Sequence, residues 1–163
     1  MTRFGPVLRS ICSGALLAGL IGAGRAATAT GNLSVTANII NACLFTAGNM
    51  AFGAYTGAQL DASGTVSVTC TNTSTFNIGI NAGLHSAGNY DWEMLGPAGA
   101  LLPYKVYVDG GRTVYWGGTP GYDTVNGTGT GAAQNFTMYG RIGAGQFKGP
   151  GAYADTVTFT LYF

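Results

Sequence analysis

Apolar and polar residues alternate along several short segments of this chain, and this pattern restricts its fold more than any other feature. Successive side chains of a β-strand point to opposite faces, so a period of two predicts a strand with one buried and one exposed face. The clearest alternating segments are Leu33–Ile39, Val66–Cys70, Phe76–Ile80, Phe136–Ile142 and Val157–Phe163. Less regular apolar runs at 101–108 and 113–116 add candidates, and six or seven short strands predict an all-β sandwich or barrel.

Composition supports the same fold class. The chain holds 28 glycines in 163 residues and only 8% charged residues, a bias that favours strands joined by turns over helices. Beyond the N-terminal region no segment shows a sustained helical period. No linker rich in proline or charge divides the rest, so we expect one domain at 30–163.

The N-terminus has the three parts of a secretory signal peptide. A basic head with Arg3 and Arg9 precedes an apolar run of about 14 residues from Ile11, and small residues close the segment. A membrane-spanning helix needs about 20 apolar residues, so the run is short for an anchor. The sequence therefore predicts a signal peptide at 1–29, cleaved after Ala26 or Ala29, and export of the domain.

Two cysteines, Cys43 and Cys70, remain once the predicted signal is removed. An even count in an exported chain favours a disulfide, and two thiols allow a single pairing. The alternative is a pair of metal ligands, but His85 is the chain's one histidine and a zinc site needs more ligands. We therefore predict a Cys43–Cys70 bridge and no metal.

The remaining charges offer little chemistry. Removal of the predicted signal leaves four basic residues against six acidic ones, a net charge of −2, and no cationic cluster that would bind nucleic acid. His85 lies in a glycine-rich loop, where we expect a solvated side chain, and most of the carboxylates fall in apparent turns. The G-x-G-x-G run at 127–131 opens no helix, so it predicts a flexible loop. We expect no catalytic residue, no cofactor and no small-molecule substrate.

Aromatic residues are frequent between 90 and 122. They allow two interpretations: a platform that binds sugars, or packing around sheet edges and loops. We favour packing for this set, which comprises Tyr90, Trp92, Tyr104, Tyr107, Tyr115, Trp116 and Tyr122.

The order of several short motifs resembles the spore coat protein U domain, the pilin-like module of archaic chaperone–usher pili. The matching stretches are Gly31–Cys43, Ala51–Tyr55 with its F-G-x-Y element, Gly64–Thr71, Leu102–Asp109, Trp116–Gly117, Met138–Ile142, Gln146 and Gly151–Thr160. Each is weak alone, but together they span the expected mature chain in order. The regions 85–97 and 117–131 do not align with the family.

The resemblance implies an incomplete immunoglobulin-like β-sandwich whose last strand comes from another chain. A periplasmic chaperone first supplies that strand, and the N-terminal strand of a neighbouring pilin subunit replaces it during assembly at an outer-membrane usher. The implied product is a homo- or hetero-polymeric pilus at the cell surface that contributes to adhesion or biofilm formation.

Residues 30–39 are the segment that the resemblance identifies as the donor strand. A donor must be extended, apolar at every second residue and free at one end, and Leu33, Val35, Ala37 and Ile39 satisfy the alternation. The same pattern also suits an ordinary first strand in the chain's own core. The resemblance also implies a role for the cysteine pair, which would hold the first strand to the second while the sandwich lacks its last strand.

Two other classes of protein share part of these features. A small outer-membrane β-barrel would also have a signal peptide, alternating strands and a terminal Phe163, but it needs about eight or more strands of 9–11 residues. A secreted lectin-like or coat protein is the other alternative, and it would need exposed aromatic side chains.

Overall fold

The computed structural model describes residues 24–163, so most of the predicted signal peptide lies outside the described residues. The described chain divides into two units, residues 24–37 and Asn38–Phe163. Residues 24–42 form no strand or helix and all are exposed. The first alternating segment is therefore not a β-strand here. An alternating sequence forms a β-strand only when a neighbouring strand accepts and donates its main-chain hydrogen bonds.

Eight strands form the second unit. They are β1 (Cys43–Ala47), β2 (Leu60–Cys70), β3 (Thr75–Ile80), β4 (Trp92–Leu95), β5 (Leu101–Tyr107), β6 (Val125–Thr128), β7 (Gln134–Ile142) and β8 (Phe159–Tyr162). One sheet has the order β1-β2-β7-β5-β4 and the other β6-β3-β8, with antiparallel pairing throughout. The fold is an all-β sandwich, as predicted. Between residues 24 and 163 no helix is long and apolar enough to cross a membrane.

The core lies between the inward faces of the two sheets. Val66 and Val68 of β2, Phe76 and Ile78 of β3 and Trp116 are almost fully buried. The indole of Trp116 donates to the carbonyl of Ile78 at 2.8 Å, which satisfies its one polar group. Burial of such side chains stabilises the fold by roughly 1.5–3 kcal/mol each.

Three strands were not predicted, and two predicted strands, at 33–39 and 113–116, are absent. The short strands β1, β4 and β6 were missed, and residues 113–116 form a single bridge, Tyr107 to Tyr115, in place of a separate strand. In β6 the apolar alternation is missing because the ring of Phe76 lies over Gly127, where a Cβ would stand 2.4 Å from its Cζ. The expectation of a flexible loop at 127–131 was therefore wrong for its first half.

The aromatic residues pack mainly on one another. Trp92, Tyr104, Tyr107 and Trp116 are buried, and the rings of Tyr90 and Tyr107 stack on Tyr115 at 5.4 and 5.0 Å. Tyr122 differs, since 84% of its surface is exposed. The packing interpretation is confirmed for the buried residues.

Candidate strand-binding groove

An open groove of about 1110 Å³ separates the chain segment after β1 from the C-terminal segment. Its floor is the inward face of the five-stranded sheet together with the end of β3. The floor side chains are Ile80, Met94, Leu102, Tyr104, Val106, Met138 and Ile142. Apart from the Tyr104 hydroxyl these groups are apolar, so the groove suits an apolar occupant.

The first wall of the groove is the segment 48–57, which is not a strand. Its side chains Met50 and Phe52 lie over Gly140 of β7, where a Cβ would stand 2.5 Å from Met50 Sδ and 2.7 Å from Phe52 Cζ. Phe52 also meets Tyr104 edge to face, with ring centroids 6.0 Å apart. A glycine is therefore needed at 140, because any side chain there would push the first wall away from the sheet.

The second wall is the C-terminal segment 152–159, which passes from one sheet to the other. Ala154 exchanges two main-chain hydrogen bonds with Leu95 of β4, at 2.8 and 3.0 Å. Four residues later Thr158 is paired with Asn81, and the chain then continues as β8 beside β3. Residues 153, 155, 157, 159 and 161 are each half-buried between exposed neighbours, which agrees with the predicted alternation as far as Leu161, whereas Phe163 is 59% exposed.

One edge of β8 has no partner strand within residues 24–163. β8 ends the sheet order β6-β3-β8, and Phe159 at its start lines the groove. An unpaired edge presents a row of main-chain donors and acceptors that another strand can pair with. The groove thus combines an apolar floor with a free strand edge, which is the geometry that strand addition requires.

A buried carboxylate, Asp155, joins the second wall to the floor. Only 2% of its side-chain surface is exposed. It accepts hydrogen bonds from Tyr104 Oη at 2.8 Å and from the main-chain N–H groups of Leu84 and Thr156 at 3.0 and 2.8 Å. Burial, followed by the hydrogen bond to Asp155, raises the pKa of Tyr104 well above its ordinary range, so its hydroxyl remains a donor.

His85 Nδ1 lies 3.4 Å from the same carboxylate. The expectation that His85 is a solvated loop residue was therefore incomplete, and Asp155 is not an ordinary turn carboxylate. The spacing of 70 residues between them hides this contact in the sequence.

We expect Tyr104→Phe to lower the free energy of unfolding by about 1.5–3 kcal/mol, because the buried Asp155 would lose a charge-assisted hydrogen bond. Urea unfolding measures the change. Tyr139→Phe on the half-buried outer face of β7 is the matched control, with an expected change of less than about 0.5 kcal/mol. Equal losses in the two variants would contradict this role of Asp155.

The disulfide lies at the start of β1, the strand whose other end leads into the first wall. Cys43 opens β1 and Cys70 closes β2, the two residues are directly opposite in the ladder, and their sulfurs are bonded as predicted. The bridge fixes β1 against β2. Gly48 follows β1 directly and donates to the Thr65 carbonyl at 2.8 Å, so the first wall begins at the end of a strand that is held in place.

The predicted donor residues lie in the segment without secondary structure. Leu33, Val35 and Ile39 are exposed by 87%, 83% and 83%, and Ala37 is exposed as well. Large apolar side chains exposed at every second position are unusual on a soluble protein and indicate a surface that becomes covered. Their role as donors remains a prediction.

The first wall was missed as a functional element. Its F-G-x-Y motif was noted as a family feature, but the sequence around it shows no regular period.

In the part of the chain that the structure describes, no group of three or more His, Cys, Asp or Glu side chains is placed to hold a metal ion.

Comparisons with known proteins agree with this geometry. The family model of the Spore Coat Protein U domain matches residues 29–160. "Protein U" of Myxococcus xanthus is 35% identical over an alignment of 156 residues that covers 85% of this chain and 87% of that protein.

Two solved structures are also similar. One is a chain of the CsuC–CsuE chaperone–tip adhesion subunit pre-assembly complex from the archaic chaperone-usher Csu pili of Acinetobacter baumannii, with a TM-score of 0.59 and 18% identity. The match covers 77% of this chain but only 40% of that one. At 18% identity the similarity establishes a shared fold and nothing more. The other is the minor tip subunit HdaB of the E. coli Hda pilus, with a TM-score of 0.38 and 21% identity, over 72% of this chain and 79% of that one. The family model along most of the chain and a relative above 30% identity agree with the open sandwich, and the chain belongs to the Spore Coat Protein U domain family.

Proposed function

We propose that this chain is a structural subunit of a cell-surface pilus that assembles by donor-strand exchange in a chaperone–usher pathway. The observation that carries the proposal is the apolar groove of about 1110 Å³ beside the free edge of β8. The fold shared with a subunit of a Csu chaperone–subunit complex supports the same function. The role is structural, with contributions to adhesion or biofilm formation, and not enzymatic.

The donor in this proposal is residues 30–39 of a neighbouring subunit, with Leu33, Val35, Ala37 and Ile39 directed into the groove. Ten extended residues span about 33 Å, a length similar to that of the C-terminal segment 152–162, which ends in β8 with its free edge. The donor segment is uncharged, as is the floor of the groove. The apolar face of the donor would cover the apolar floor, while the buried Asp155 beside it keeps its own hydrogen-bond partners, and this favours an apolar strand as the occupant.

Export and assembly complete the proposal. Residues 1–29 act as the signal peptide and 30–163 form the mature subunit. A periplasmic chaperone occupies the groove first, an outer-membrane usher receives the subunit, and the polymer emerges at the cell surface. The neighbours in the polymer are identical or related pilin subunits.

A charged residue in the donor tests the assembly step. We expect Val35→Asp to abolish polymer formation, because an unpaired carboxylate in an apolar groove costs several kcal/mol. Thr36→Asp, one position along and on the opposite face of the segment, is the matched control and should still polymerise. Polymer length is measured by electron microscopy and size-exclusion chromatography of the exported protein, and long polymers of Val35→Asp would refute the proposal.

A coat polymer is the second candidate, favoured by the description of the family as a spore coat domain. It uses the same groove and donor and differs in where the polymer is deposited. Immunogold labelling of intact cells separates the two, since a pilus extends beyond the surface and a coat lies flat on it.

A further inference from the structure

Two residues near one end of the groove, Tyr55 and Gln146, join the first wall to the rest of the sandwich. Tyr55 Oη donates to the carbonyl of Gly143 at 2.6 Å and accepts from the main-chain N–H of Gln146 at 3.1 Å. The side chain of Gln146 donates through Nε2 to the carbonyls of Pro103 at 3.0 Å and Gly143 at 3.3 Å. We call this set of hydrogen bonds the Tyr55–Gln146 clasp.

The clasp connects three elements that are distant in sequence. Tyr55 belongs to the first wall, Gln146 to the loop that follows β7, and Pro103 to β5. Both clasp side chains are half-buried, and the exposed ring of Phe147 lies over Gly57, where a Cβ would stand 2.8 Å from Cε1. A main-chain hydrogen bond from Gly145 to Gly57 at 2.8 Å closes the same corner.

The middle of the first wall has little else to hold its main chain. Within the described residues, main-chain pairing of 48–57 is confined to its two ends, at Gly48 and Gly57. Between them the wall depends on the packing of Met50 and Phe52 over Gly140. Its remaining main-chain groups are therefore free of backbone partners, and its position depends on how firmly the two ends are held.

We propose that Tyr55 and Gln146 are positioning residues that hold the first wall in place before a donor strand arrives. The inference rests on the proposed function, because it concerns the occupant of the same groove. Ordering a loose segment costs roughly 1–2 kcal/mol per residue, and a wall ordered in advance transfers that cost from strand binding to folding. The clasp thereby increases the affinity of the groove for a strand without contacting the strand.

The test uses the full chain and a fluorescent peptide of residues 30–39, with affinity measured by anisotropy at nanomolar chain concentration. We expect Tyr55→Phe, which removes the two bonds of the hydroxyl, to weaken peptide binding about tenfold. Gln146→Ala removes the side-chain bonds and keeps Tyr55, and we expect about a threefold loss. Because both side chains bind Gly143, the double variant should lose less than the product of the two effects.

Tyr90→Phe is the matched control. Its hydroxyl donates to the carboxylate of Asp123, and neither residue lines the groove, so we expect peptide affinity within twofold of the unaltered chain. If both clasp variants bind the peptide with unchanged affinity while their melting temperatures fall with and without peptide, the clasp is only structural and the inference is wrong. If the unaltered chain binds no peptide, the proposed function itself fails, and this inference fails with it.

Discussion

A copy of residues 30–39 fused after Phe163 through a short turn is expected to raise the melting temperature of the chain by more than about 10 °C. The fused strand can pair with the free edge of β8 and place Leu33, Val35 and Ile39 in the groove. Burial of each such side chain stabilises by roughly 1.5–3 kcal/mol. For a domain of this size each kcal/mol corresponds to a few degrees of melting temperature.

Calorimetry of the fused and unfused chains at the same concentration measures this shift. A fusion whose copy carries Val35→Asp is the control, because it has the same length and linker but cannot bury the altered position without a large cost. We also expect the fused chain to stay monomeric in size-exclusion chromatography, since its groove is already filled. A stable monomer that gains nothing from the fusion would mean that the sandwich needs no added strand.

Removal of the disulfide has the second largest expected effect. Cys43→Ala with Cys70→Ala should lower the free energy of unfolding by about 3–4 kcal/mol, because the bridge closes a loop of 27 residues in the unfolded chain. In addition, β1 is an edge strand paired only to β2, so loss of the bridge would loosen β1 and release the start of the first wall. Urea unfolding measures the difference, and the double variant should show a steeper slope because its unfolded chain is less compact without the bridge.

A reducing agent provides the control for this experiment. It should destabilise the unaltered chain by a similar amount and leave the double variant unchanged, which separates the bond from the two side chains. A difference below about 1 kcal/mol between the two proteins would contradict a structural role for the bridge.

Prediction from sequence succeeded where strands are long and alternate regularly. β2 and β7 pair over nine residues, and the alternation was recognised at Val66–Cys70 and at Phe136–Ile142, where every second side chain is buried or half-buried, but the first six residues of β2 were not predicted. The cysteine pair was predictable for another reason, since two thiols in an exported domain leave one intramolecular pairing. The family motifs carried the remaining expectation, that the sandwich lacks a strand.

Short strands were missed because four or five residues contain too few repeats for an alternation to be recognised. β4 has four residues, and only Trp92 and Met94 are buried in it. β6 replaces an apolar residue by Gly127 to accommodate the Phe76 ring. In each case the neighbour that explains the residue comes from another part of the chain, so no local pattern reveals it.

The sequence by itself determined the fold class, the cysteine pair and the apolar alternation of residues 33–39, because each follows from local spacing or simple counting. Only the tertiary structure decided that segment 48–57 is a wall of the groove, that Asp155 is a buried acceptor for Tyr104, and that Tyr55 meets Gln146. These contacts join residues 51 to 91 positions apart. The physical reason is that a groove is formed by surfaces from different strands, and their position depends on the packing of the whole sandwich.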